Sequence, residues 1–109
     1  MDARVDLWTK EFVEKLKTTD EYVFYSDQLA VLSHYPELME KINEYREENF
    51  RLQNEYEGDE LFDKTEEFTT RYEELLENPV VNDFLQAEAG IVRMVQDINT
   101  CLVEGLNFQ

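Results

Sequence analysis

Residues 78 to 106 read Asn-Pro-Val-Val-Asn-Asp-Phe-Leu-Gln-Ala-Glu-Ala-Gly-Ile-Val-Arg-Met-Val-Gln-Asp-Ile-Asn-Thr-Cys-Leu-Val-Glu-Gly-Leu. This is an apolar helix with both ends written into it. Asn78 is a favoured N-cap, Pro79 suits the first helical position, and Gly105 stands where a left-handed residue closes a helix. Val81, Phe84, Glu88, Ile91, Val95, Ile98 and Leu102 recur at alternating steps of three and four, so they lie along one stripe. Leu85, Val92, Val103 and Leu106 widen it. A helix apolar over so broad a face belongs at the centre of a bundle, with more charged helices around it.

Working outward, the chain supplies those helices. Three glycines and two prolines in 109 residues leave room for few turns, so the elements are few and long and the fold is all-α. Val5, Trp8, Phe12 and Leu16 mark a first helix from about Val5 to Lys17. Thr18 and Glu21 form a capping box opening a second, with Tyr22, Tyr25, Leu29 and Leu32 on its apolar face. Pro36 ends that helix near Ser33 and begins a third. Leu38, Ile42, Tyr45, Asn49, Leu52 and Tyr56 form its seam. Gly58 stops it, and Leu61, Thr65, Phe68, Tyr72 and Leu75 continue in a fourth helix.

Folded back as an αα-hairpin, these two seams match in one register: Tyr56 with Leu61, Leu52 with Thr65, Asn49 with Phe68, Tyr45 with Tyr72, Ile42 with Leu75. The expected architecture is an elongated five-helix bundle forming one domain over residues 1–109. The third helix would be about 30 Å long and the last about 40 Å, against a radius of gyration of about 13 Å for a compact globule of this length. Met39, Phe50, Phe62 and Leu76 then form second apolar rows as candidate interface residues. A second copy or another helical protein would cover them, or the short first and second helices of the same chain would.

Charge narrows the function. The net charge is −16, and 15 of the 26 acids fall between Glu37 and Glu77 with only five bases. Such a surface repels phosphate, so direct nucleic-acid binding is not expected. The acids read as a solvated helix surface or as a docking face for a basic partner. The start, Met-Asp-Ala-Arg-Val-Asp-Leu-Trp, has no basic and apolar signal pattern, and Asp83, Glu88, Arg93, Asp97 and Glu104 exclude a membrane span in the last helix. A cytoplasmic location is expected, consistent with a single cysteine.

Catalytic and metal constellations are not found. A di-iron bundle needs two Glu-x-x-His motifs, and the one histidine, His34, has Val31 where the glutamate would stand. His34 reads as a loop or helix-end residue. Cys101, three residues after Ile98, reads as a buried, inert thiol. The glycines at 58, 90 and 105 are too scattered for a phosphate loop. No catalytic, cofactor or metal residue is assigned. Two polar residues on the apolar seams are candidate buried groups. Asn49 would fix register or partner choice, or sit near an exposed rim. Glu88 would bond across the bundle to an Arg or Tyr, or mark where the helix is exposed.

The order of features resembles the YlbF/YmcA family of small helical bacterial proteins over nearly the whole chain. The matching features are Glu21-Tyr22, Pro36-Glu37-Leu38, Asn78-Pro79-Val80 and Phe84-Leu85-Gln86-Ala87-Glu88. The resemblance implies a helical bundle, oligomerisation, and a regulatory role in competence, sporulation or biofilm development, in some members within a complex that assists ribonuclease Y. His34-Tyr35 departs from the acidic cap expected before Pro36. With Cys101 alone, the iron–sulfur clusters of some members are not carried over. The expected function is a non-enzymatic adaptor that binds itself, as at least a dimer, and another cytoplasmic protein. The alternatives are a self-assembling structural protein without another partner and a cofactor-dependent enzyme.

Overall fold

The computed structural model describes residues 1–108. Its elements are α1 (Ala3–Leu16), α2 (Asp20–Leu32), α3 (Pro36–Glu55), α4 (Gly58–Arg71), α5 (Glu73–Glu77) and α6 (Pro79–Leu106), with no strand among the described residues. The fold is all-α, and six helices replace the expected five. The extra boundary is Tyr72, which leaves helical geometry at φ −102° and ψ 7°. Its amide still donates to the Phe68 carbonyl at 3.1 Å, and its own carbonyl accepts from Leu76 at 3.0 Å, so Tyr72 ends α4 and caps α5, which resumes at the next residue.

The ends of the helices follow local chemistry, with three corrections. Asn78 caps α6 as expected, its side-chain oxygen accepting from the amides of Val80 at 2.9 Å and Val81 at 3.4 Å. At α2 the capping hydroxyl is Thr19 rather than Thr18: Thr19 Oγ1 accepts from the Tyr22 amide at 3.3 Å, whereas Thr18 bonds back to the Lys15 carbonyl at 2.7 Å. Gly58 opens α4 instead of stopping α3. The turn forms after Tyr56 and Glu57 in extended backbone, and Gly58, at φ 59°, makes the reversal that other residues resist. Gly105 lies inside α6. The left-handed position is Asn107, at φ 56°; its amide donates to Glu104 O at 3.2 Å and that of Phe108 to Val103 O at 3.3 Å. That bond pair is a Schellman motif with asparagine in glycine's usual place.

The chain divides into two compact units, residues 1–29 with 84–109 and residues 30–83. The second unit holds α3, α4 and α5 as an antiparallel arrangement, and its buried residues are Leu32, Ile42, Leu52, Phe68 and Val81. Tyr45 is its hub: the ring stacks on Phe68 at 5.2 Å and meets Tyr72 edge-on at 5.3 Å, and Phe68 and Tyr72 are themselves 5.0 Å apart. The expected pairing of Tyr45 with Tyr72 is thus present. Glu48 fastens the same place, accepting from the Tyr72 hydroxyl and pairing with Arg71.

The first unit holds α1 and most of α2 and α6. Only Phe84 and Ala87 are buried in it. Tyr25 tilts against Phe84 at 5.8 Å, and the Thr19 hydroxyl lies 3.9 Å from the Met94 sulfur. No residue of α1 is buried.

Candidate interaction surfaces

A large apolar residue with more than about a third of its surface in water marks a place where packing is incomplete. The first unit is dominated by such residues. Of the eighteen exposed large apolar side chains among the described residues, fourteen belong to it. On α1 they include Val5, Leu7, Trp8, Phe12 and Val13, and on the C-terminal half of α6 Val92, Val95, Leu102 and Leu106. The α6 stripe is therefore covered over its first turns, at Val81, Phe84 and Ala87, and open further on, where Val95 and Leu102 are each 55 % exposed.

Between α1, the start of α2 and α6 lies an open cavity of about 570 Å³. Phe12, Gly90, Met94, Ile98, Cys101 and Leu102 form its apolar walls, with Glu21, Arg93 and Asp97 at the polar positions. Cys101 is exposed here, which corrects the expectation of a buried thiol. The cavity between α1, α2 and α6 leaves that side of the helix open to water.

The second unit is different in kind. It carries sixteen Asp and Glu against five Lys and Arg, compared with ten against five in the first unit. Of its bases, Arg71 is paired with Glu48, and Lys64 stands 3.8 Å from Glu67 and 5.7 Å from the Tyr56 ring. The expected interface residues sit on this acidic unit. Phe50 and Phe62 are open, at 70 % and 66 % exposure, whereas Met39 and Leu76 are half-buried. Asn49 and Glu88 are both half-buried rather than enclosed. His34 is exposed in the turn after α2, its amide donating to the Val31 carbonyl at 3.2 Å.

Among the described residues no buried side-chain polar atom lacks a partner. Nor is any group of three or more His, Cys, Asp or Glu side chains placed to hold a metal ion. Among the described residues no helix is long and apolar enough to cross a membrane. The conspicuous surfaces are therefore the uncovered apolar face and the acidic unit.

A family model described as control of competence regulator ComK, YlbF/YmcA, matches residues 8–107. The chain belongs to this family. Neither the curated proteins nor the solved structures contain a match to it. YlbF/YmcA membership gives the chain a regulatory affiliation. The residues that carried the resemblance explain themselves in the structure: Glu21-Tyr22 lies in the first turn of α2, Pro36-Glu37-Leu38 begins α3, and Asn78-Pro79-Val80 joins α5 to α6. They are helix starts and packing points.

Proposed function

We propose that this YlbF/YmcA protein is a non-catalytic cytoplasmic adaptor that associates with itself and with at least one other protein through helical faces. Its pathway is the control of competence, sporulation or biofilm development, acting on RNA through a ribonuclease-associated complex. The observation that carries this reading is the concentration of exposed apolar side chains on one unit and of acidic side chains on the other. An apolar face in water favours association, and an acidic unit selects a partner with a basic or neutral contact surface. Phe50 and Phe62, open on that acidic unit, supply apolar anchors for the second protein, with the half-buried Met39 and Leu76 on the same unit.

The test is a native pull-down with mass spectrometry, run on the unmodified chain and on Phe50→Glu/Phe62→Glu. The adaptor reading expects a second protein that the double variant fails to retain, since charges placed on an apolar contact are buried unpaired. Recovery of the chain alone would favour the structural self-assembly reading. A stoichiometric transition metal in the purified protein would revive the enzyme alternative.

A further inference from the structure

The open rings of Phe50 and Phe62 stand on one side of the α3–α4 hairpin. Tyr45 and Phe68 point at each other across it, their rings 5.2 Å apart. At about 100° per residue, Phe50, five residues after Tyr45, is turned about 140° from that contact, and Phe62, six residues before Phe68, about 120°. In an antiparallel pair both turns lead to the same side. Along the axis the two positions are offset by less than about 10 Å, because Tyr45 lies level with Phe68 and Tyr72. Phe62 opens onto a groove of about 940 Å³ along α4, whose walls include Thr65, Thr69 and Thr70. Three of the unit's five bases, Arg51, Lys64 and Arg71, line one cavity together with Glu48, Glu55 and Glu67, so their charge is matched by acids of the hairpin itself.

Charge decides what covers the two rings. Sixteen acids against five bases leave this unit with an excess of eleven negative charges. From Glu55 to Asp63 the chain carries five exposed acids and no base, and Phe62 stands inside that stretch. Glu47 stands one turn before Phe50. A second copy of this unit would set like charges against each other, and a phosphate backbone or an anionic bilayer is repelled in the same way. A cationic protein segment is attracted. We infer that the occupant of this face is an amphipathic helix of another protein, with apolar residues one turn apart for Phe50 and Phe62 and with Lys or Arg flanking them to meet the acids. Residues at i and i+4 stand about 6 Å apart along a helix, which fits the offset of the two rings. This rests on the adaptor reading above and names the chemistry of its second protein.

The test uses two synthetic helical peptides, each with leucines at i and i+4, one flanked by lysines and the other by glutamates. Their binding to the full-length protein is read by fluorescence anisotropy at rising salt. The lysine peptide binds at least about tenfold more tightly than the glutamate peptide, and added salt weakens it. Phe50→Ala/Phe62→Ala loses about tenfold in affinity for the lysine peptide. That variant keeps the native circular-dichroism signal, since both rings are already in water. Leu102→Ala, in the other unit, binds as the unmodified chain does. Equal binding of the two peptides, or none by either, overturns the inference, and so does a folded double variant that binds undiminished. If the double variant loses its helical signal, the peptide comparison on the unmodified chain decides. A second protein that the native pull-down also retains on Phe50→Glu/Phe62→Glu overturns the inference while sparing the adaptor reading. No second protein and no peptide binding overturns both.

Discussion

Phe68 and Tyr72 face the same ring, Tyr45, yet they are not equivalent. Phe68 is buried, and Tyr72 is half-buried with its hydroxyl donated to Glu48. Phe68→Ala should cost about 3–4 kcal/mol in chemical denaturation through the cavity it leaves, and Tyr72→Phe about 1 kcal/mol through the lost hydrogen bond. Equal losses would mean that the aromatic cluster is not centred on Phe68. Asp2 gives a pH-dependent case at the start of α1. Its carboxylate accepts from the Arg4 amide at 2.7 Å, and that bond, with the Arg4 guanidinium, holds its pKa below the ordinary 3.8. A lowered pKa means that the cap is present above the unfolded value and is lost as pH falls through the folded one. The Arg4 amide resonance should therefore titrate below pH 3.8, and Asp2→Asn, which keeps an acceptor, should abolish that step. An Arg4 amide that titrates in the Asp2→Asn variant would contradict the cap.

Helix ends show what the sequence conveys and what it withholds. Asn78-Pro79 was readable because cap and proline fall together, and Asn78→Ala should lower stability by about 1 kcal/mol while leaving the association equilibrium unchanged. A destabilisation near zero would remove the cap from the account. The other ends were less readable for physical reasons. Thr18 and Thr19 are both good caps, and only the path of the chain decides which hydroxyl reaches a free amide. Gly105 is the obvious terminator, but the α6 bonds run past it and Asn107 adopts the left-handed geometry. At Tyr72 the apolar period runs on unbroken through Leu75, so nothing in the pattern announces the bend. The exposed apolar surface was readable in part. Phe50 and Phe62 stood out as a second row and are open, but the stripe on α6 read as central because periodicity reports that a face is apolar, not that something covers it.

Taken whole, the protein carries most of its exposed apolar side chains on one unit and most of its negative charge on the other. The charge predicts that the isolated, nuclease-free protein has no measurable RNA affinity at physiological salt, since it has no cluster of cations to release counterions. Tight RNA binding in a filter or fluorescence assay would contradict an adaptor that reaches RNA only through a partner. The apolar face makes the stronger demand, because surface of that extent left in water is an aggregation hazard unless a copy covers it. The direct measurement is sedimentation equilibrium of the unmodified chain across the micromolar range, compared with its 13.1 kDa monomer mass. The account predicts at least twice that mass, unaffected by high salt because the contact is apolar. A monomer at every concentration would contradict it.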